Sequence, residues 1–421
     1  MTIHPSIDAV VSAAREMEGF CCFDMGTDET VVTWGSRAPH TRIEGWQAFV
    51  RDQTLARTQD NGVFAGGVVG WLGYEAGASV EVMPVQTQSR PTHDVCLWRV
   101  DGAVTLHNTS GKVTIAGSDA FTAQAEALLH RAARCSSGPL SPGASEPWIP
   151  YDVPARASHF TAGVNRVLDH VRRGDVYQVS LSWEQAEIPV RDAARAWLRL
   201  RASNPATRGC YLRQGPVEIV SNSPELFMEF DPATRRLRSS PIKGTAPCSS
   251  GPRGQEMLER SPKERAELTM IVDLVRNDLG RVAIPGTVTA GPRQVRRCGD
   301  LWHAEQTVEA DLDPLHDAVD AIAAAFPPGS VTGAPKVRAM EVIHRLETQP
   351  RGVYTGAIGF FGDGGRTHFN VAIRTATVVH GCARFHVGAG IVADSEPDLE
   401  WQETLAKAGA LATSLSATGA C

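Results

Sequence analysis

Residues 356–392 read GAIGFFGDGGRTHFNVAIRTATVVHGCARFHVGAGIV. Their apolar and β-branched runs predict three strands in close succession, 356–361, 367–379 and 383–392. A last helix is expected over about 397–415. Upstream, helical spacing recurs over 118–134, 159–173, 262–279, 315–326 and 336–346, and strand-like runs over 19–23, 63–69, 95–100, 176–181, 217–220 and 226–230. Strands and helices come in blocks rather than in strict βαβ alternation. The expected fold is therefore α+β, with large, mostly antiparallel sheets flanked by helices. The segment 135–152 is small-residue- and proline-rich and reads as a solvated connector. It divides the chain into an N-terminal region, 1–134, that packs on the core, and a larger region, 153–421.

The chain has 421 residues, 42% hydrophobic and 21% charged, with 41 basic against 47 acidic side chains for a net charge of −6. This is the composition of a globular protein with room for a large core. No basic tract stands out, which argues against nucleic acid or an anionic membrane as partner. The first residues lack a basic segment followed by an apolar block, and no apolar run reaches membrane-spanning length. Nine cysteines without C-x-x-C spacing indicate neither a zinc site nor a disulfide framework. The expectation is a cytoplasmic protein.

Three groups of residues carry candidate chemistry. In Pro241-Ile-Lys-Gly244 a single lysine is framed by proline and glycine. A rigid backbone and partial removal from water would lower the pKa of Lys243 and free its lone pair for attack; an ordinary solvated loop lysine is the competing reading. Residues 261–280 form a well-punctuated helix, with Ser261 as cap, Pro262 in the first turn and Gly280 as stop. Glu264 and Glu267 share one of its faces, although Glu264 also stands where a capping box would place it. The last helix repeats the arrangement with Glu400, Glu403 and Lys407, for which an exposed Glu403–Lys407 pair is the simpler account. Paired glutamates from two helices could supply oxygen ligands to one Mg²⁺. Within 385–392, Gly388-Ala389-Gly390 marks either a tight sheet contact or the close approach of a ligand. Arg374, on a mostly apolar strand, suits bidentate binding of a carboxylate. The run PPGSVTGAPK, 327–336, fails the phosphate-loop test because Ala-Pro separates its glycine from its lysine.

Together, SNSPELF, SPIKGTAP, KERAELTMIVDLVRNDLGRVA, PPGSVTGAPKVRAMEVI, YTGAIGFF, VAIRTATV and GAGIVADSEPDLEWQETLAKA resemble the chorismate-utilising enzymes, a family that includes anthranilate synthase component I and aminodeoxychorismate synthase component I. The motifs run from about 176 to 410, and the earlier FAGGVVGWLGYEAG also looks like the family's N-terminal part. The resemblance implies an anthranilate synthase component I-like fold and makes 153–421 the chorismate-binding catalytic region. It implies Mg²⁺ held by Glu264, Glu267, Glu400 and Glu403. A second substrate carboxylate would meet Tyr354, Arg374 and the amides of Gly388, Ala389 and Gly390. Glu225 matches the family's general acid for the departing hydroxyl, and His303 the histidine beside it. Thr245, Thr332, Lys407 and Gln178 fall among the substrate-binding positions.

Within the family, anthranilate synthases usually carry alanine where Lys243 stands, whereas aminodeoxychorismate synthases carry PIKGT. Isochorismate and salicylate synthases have a lysine base where Gln178 stands. Lys243 with Gln178 thus implies amination of chorismate at C4 through a lysine adduct at C2, giving 4-amino-4-deoxychorismate on the route to 4-aminobenzoate and folate. The chain departs from the family at Cys248, where arginine is usual, in the flanks of His303, and at Cys21-Cys-Phe-Asp-Met25, which differs from the tryptophan-binding pattern of anthranilate synthases. No Gly-x-Cys-x-Gly nucleophile turn occurs, so ammonia is expected from a separate glutaminase subunit. Anthranilate formation is the alternative within the family, and a non-catalytic chorismate- or amino-acid-binding subunit the alternative outside it.

Overall fold

A computed structural model of the chain describes residues 5–26, 28–35, 37–55, 64–84, 90, 92–134, 153–248 and 251–416. The expected connector, 135–152, lies outside them. The core is two antiparallel sheets packed face to face, one of ten strands and one of eight, with a separate sheet of three. Period-two alternation shows why strands such as Phe20–Asp24 are apolar on both sides. Phe20 and Cys22 face outward to helices, while Cys21 and Phe23 face inward to the other sheet. Trp71 and Ile358 of the eight-stranded sheet meet Leu212 and Ile219 of the ten-stranded one in that inner layer. Helices Val153–Arg172, Ala193–Ser203, Lys336–Leu346 and Pro397–Ser416 cover the larger sheet, and Pro262–Gly280 and Ala318–Ala325 the smaller. The expected α+β architecture is borne out.

Strands from the N-terminal region extend both sheets. Phe20–Asp24 pairs with Cys210–Gln214, and Gly67–Leu72 pairs with Ala357–Gly362. The expected strand 367–379 is in fact two. Thr367–Val371 belongs to the eight-stranded sheet and Thr375–Val379 to the ten-stranded sheet. The chain changes sheet at Ile373 and Arg374, where Arg374 adopts φ +50°. Its neighbour does the same, with Val217–Ser221 in one sheet and Leu226–Asp231 in the other. Hydrogen bonds from Asn222 N to Arg374 O (3.0 Å) and from Val371 N to Glu225 O (3.1 Å) tie the two crossings together. Glu225 and Arg374 are thereby set side by side where the sheets part.

The strand Gly67–Leu72, next to the edge strand Val95–Val100 of the eight-stranded sheet, has no space for a side chain at Gly70, whose φ is +142° and where a Cβ would lie 1.9 Å from the Cys96 carbonyl oxygen. A Gly70→Ala variant must push Val95–Val100 away. We expect it to lose about 2 kcal/mol or more of stability, read as a lowered midpoint in urea unfolding; an unchanged midpoint would contradict this packing.

Candidate functional site

A cavity of about 380 Å³ opens beside the paired crossings. Glu225 and Arg374 reach it from those segments, Lys243, Thr245 and His303 from the three-stranded sheet, and Gly388 to Gly390 from the strand Cys382–Ile391. Glu264 and Glu267 come from the helix Pro262–Gly280, and Glu400, Glu403 and Lys407 from the helix Pro397–Ser416. Tyr354 completes the wall.

Glu225 is 3% exposed, and burial pushes its carboxyl up to about 7, against a hydrogen bond from Ser330 and the charge of Lys243. It is therefore a carboxyl that keeps its proton to near neutrality. Lys243 stands in the strand Ile242–Pro247, opposite Ala304. Its side chain crosses toward the ten-stranded sheet and brings the amine to the bare Cα of Gly390. A Cβ there would lie 2.8 Å from Lys243 Nζ and 3.0 Å from Gln178 Nε2. Among the described residues, Lys243 makes no ion pair within 4 Å. Removal from water holds its amine below the usual lysine value, with Lys407 adding repulsion, although Glu267 and Glu225 favour the charged form. The two glycines of the strand thus have different reasons. Gly388 is a tight sheet contact, 2.5 Å from the Leu181 carbonyl oxygen to its missing Cβ, whereas Gly390 makes room for the amine.

His303 lies opposite Thr245 in the same small sheet. The Arg374 guanidinium donates to its Nε2 at 3.0 Å, so that nitrogen is an acceptor and the proton sits on Nδ1, 3.3 Å from Thr245 Oγ1. Burial, then the Arg374 charge, push the His303 imidazole down to about 3, so it is neutral at physiological pH. Arg374 forms no ion pair among the described residues, and burial lowers its hold on its own charge. Such a cation, open to a cavity, is suited to an anionic ligand.

The four glutamates line one side of the cavity. Burial raises Glu267, the neighbouring Glu264 and Glu400 carboxylates raise it further, and Lys243 and Lys263 oppose them. Burial and Glu403 raise Glu400 against a hydrogen bond from Ser395. Burial also works on Glu403, but Lys407, at 2.6 Å, outweighs it and holds that carboxyl low. The Glu403–Lys407 pair expected from spacing is thus formed, and both residues face the cavity. Among the described residues, no three His, Cys, Asp or Glu side chains converge closely enough to hold an ion. The donor set is nonetheless all oxygen and mutually repelling, as suits a hard divalent cation such as Mg²⁺ that keeps other ligands in most of its positions.

Two expected site residues stand apart from the cavity lining. Gln178 is fully buried behind Gly390, with neither amide atom bonded to protein. Thr332 is also fully buried, and its hydroxyl lies 3.2 Å from the Pro328 carbonyl and 3.1 Å from that of Gly329. The sequence reading missed Lys263, Ser330, Ser180 and Thr355, all on the cavity wall. Of these, Lys263, Ser330 and Thr355 lie within the quoted motifs, close to Glu264, Thr332 and Tyr354. Ser261 accepts from Glu264 N at 3.2 Å, so the cap and the cavity-facing carboxylate coexist. Lys336 is buried and bonded to Asp278 and to the Ala325 carbonyl, both at 2.8 Å. In the divergent 21–25 segment, Asp24 is buried and paired with Arg201 at 3.1 Å.

The chorismate binding enzyme family model matches residues 16–413. The chain belongs to that family. Among relatives of this chorismate-binding enzyme, anthranilate synthase component 1 of Streptomyces coelicolor is 37% identical over 380 residues, 84% of this chain and 73% of that one. The 2-amino-4-deoxychorismate synthase of Streptomyces globisporus is 35% identical over 384 residues, 86% and 74% of the two chains. Aminodeoxychorismate synthase of Streptomyces griseus is 37% identical over 363 residues, 83% and 50%. The crystal structure of anthranilate synthase component I from Streptococcus pneumoniae superposes with a TM-score of 0.78 at 25% identity, covering 92% of each chain. The protein is thus a chorismate-utilising enzyme close to anthranilate synthase component I, and no helix among the described residues is long and apolar enough to cross a membrane.

Gly390→Ala offers a test that spares the fold, because the atoms it meets, Lys243 Nζ and Gln178 Nε2, are side-chain ends and not main chain. The added methyl should displace the Lys243 amine by about 1 Å and cut turnover of chorismate about 10²-fold, with the thermal midpoint little changed. Wild-type turnover in this variant would show that the amine's position is immaterial.

Proposed function

We propose that this enzyme aminates chorismate at C4, giving 4-amino-4-deoxychorismate. The observation that carries the reading is the Lys243 amine, disfavoured as a cation and without an ion pair among the described residues, in one cavity with a glutamate that keeps its proton to about pH 7. Lys243 attacks C2. The C1–C2 double-bond pair moves to C1–C6, the C5–C6 pair moves to C4–C5, and the C4 hydroxyl leaves with the proton of Glu225 as water. Ammonia then attacks C4, the same electron pairs return, and the Lys243 nitrogen departs from C2. Two displacements carry the incoming nitrogen to C4. Lacking an amine at 243, a cavity of this kind would have only the direct attack at C2.

Arg374 and Tyr354, with the amides of Gly388 to Gly390, would hold one substrate carboxylate, and neutral His303 would accept from Arg374 and order it. Glu264, Glu267, Glu400 and Glu403 would hold Mg²⁺, which supplies charge neutralisation for the other carboxylate. Lys407, bonded to Glu403 and to the Gly388 carbonyl (3.2 Å), would link the two anchoring regions. Thr332, its hydroxyl turned to main-chain carbonyls, would brace the segment of Ser330 and Val331 rather than touch substrate. A separate glutaminase would deliver ammonia, with free ammonium supporting slower turnover.

Anthranilate synthases predominate among the relatives, so formation of anthranilate with release of pyruvate is the reading to be excluded. Purified enzyme with chorismate, Mg²⁺ and ¹⁵N-ammonium should yield a non-aromatic product with nitrogen on C4 by NMR. Anthranilate, or nitrogen on C2, would reject the proposal, and absence of Mg²⁺-dependent chorismate consumption would favour a binding subunit. Lys243→Ala should abolish C4 amination.

A pH dependence follows from the same two groups. kcat/KM should climb as Lys243 sheds its proton and fall above about pH 7 as Glu225 loses its own. Glu225→Gln should lower kcat about 10²–10⁴-fold and remove the descending limb; a descending limb that persists in residual activity would assign it to another group.

A further inference from the structure

Arg351 is 2% exposed, lies outside the catalytic cavity, and is bonded at every nitrogen of its guanidinium. Nε and Nη2 donate to the two oxygens of Glu347, at 2.8 and 2.7 Å. Nη1 donates to the Val331 carbonyl at 3.0 Å and to Thr355 Oγ1 at 3.1 Å, and Nη2 also donates to the Ser180 carbonyl at 2.7 Å. Ser180, Val331 and Thr355 come from three separate segments, and all three line the catalytic cavity. The guanidinium also lies 4.7 Å from the Tyr74 ring and 5.9 Å from that of Tyr354.

The main chain at the same point is held from the opposite side. The N–H groups of Arg351 and Gly352 donate to the two carboxylate oxygens of Glu75, each at 2.8 Å. Glu75 is itself buried and belongs to the N-terminal region. Between these two grips runs the short segment that presents Tyr354 and a left-handed Thr355, φ +60°.

We infer that Arg351 is a positioning residue for the reaction: it joins three separate pieces of the cavity wall and fixes where Tyr354 meets the substrate. This rests on the proposed placement of a substrate carboxylate at Tyr354. No other side chain type can do the task in one piece, because a planar fork with five donors can serve a carboxylate, two carbonyls and a hydroxyl together. Lysine in its place keeps a charge for Glu347 but cannot reach the other three at once.

The test is steady-state consumption of chorismate with saturating Mg²⁺ and ammonium, a readout independent of which product forms. Arg351→Lys should raise KM for chorismate about tenfold or more, with kcat within about threefold of wild type. Thr355→Val removes one of the bonds without leaving a buried charge unpaired, and should raise KM about threefold in the same direction. Should Arg351→Lys not fold, Thr355→Val alone carries the test. A merely structural arginine would give lower yield or a lower thermal midpoint with KM unaltered in the folded enzyme, and that result overturns the inference. Tyr354→Phe separates the two claims: unchanged KM there, with a raised KM in the Thr355 or Arg351 variant, sinks the carboxylate placement and with it the role through Tyr354, and leaves only the joining of the three wall segments standing.

Discussion

Everything in the site follows from two neighbouring strands leaving one sheet for the other at the same level. Strand pairing obliges adjacent chains to keep their hydrogen bonds, so a crossing by one alone would strand a row of buried amides. Crossing together, they stay bonded to one another through Asn222, Arg374, Glu225 and Val371. The cavity lies beside this parting of the sheets, and an acid and a guanidinium from the crossing itself are brought to it.

The remaining chemistry is delivered to that space by elements outside the sandwich. The three-stranded sheet brings Lys243 and His303, and two helices bring carboxylates from well-separated parts of the sequence. Charge is the organising quantity. Acids outnumber cations on the helix side, where a hard cation would be at home, whereas the opposite side has Arg374 without a carboxylate partner among the described residues. A dianionic substrate with its charges at two ends suits such polarity. Lys243 and Glu225 lie between, each in the less charged of its two forms more readily than it would be in water.

Much of this was legible in the sequence because it depends on local spacing. The glutamates one turn apart on each helix, the proline–glycine frame of Lys243 and the glycines at 388 and 390 all announce themselves within a few residues. What was not legible depends on distant partners. Apolar alternation runs on through Ala372, Ile373 and Arg374, so nothing in 367–379 betrays the change of sheet. The raised proton affinity of Glu225 comes from being enclosed by segments distant in the chain, and it prevails against a hydrogen bond from Ser330, over a hundred residues away. Strands Glu29–Thr33 and Gly102–His107 and the helix Ala193–Ser203 also escaped the pattern reading, being short or buried on both faces. Thr332 and Gln178 were placed near the substrate by resemblance; their burial shows that a motif position need not expose its side chain.

The interleaving of the first hundred-odd residues with the rest has a consequence for how the molecule can be shortened. Four strands of the larger sheet and two of the smaller come from the N-terminal region, all beyond Cys210–Gln214 and Ala357–Gly362. A fragment beginning after them would present two apolar strand edges with unbonded amides and carbonyls, which are templates for self-association. The front of the chain is therefore no appendage: it continues both large sheets past edges that would otherwise be open.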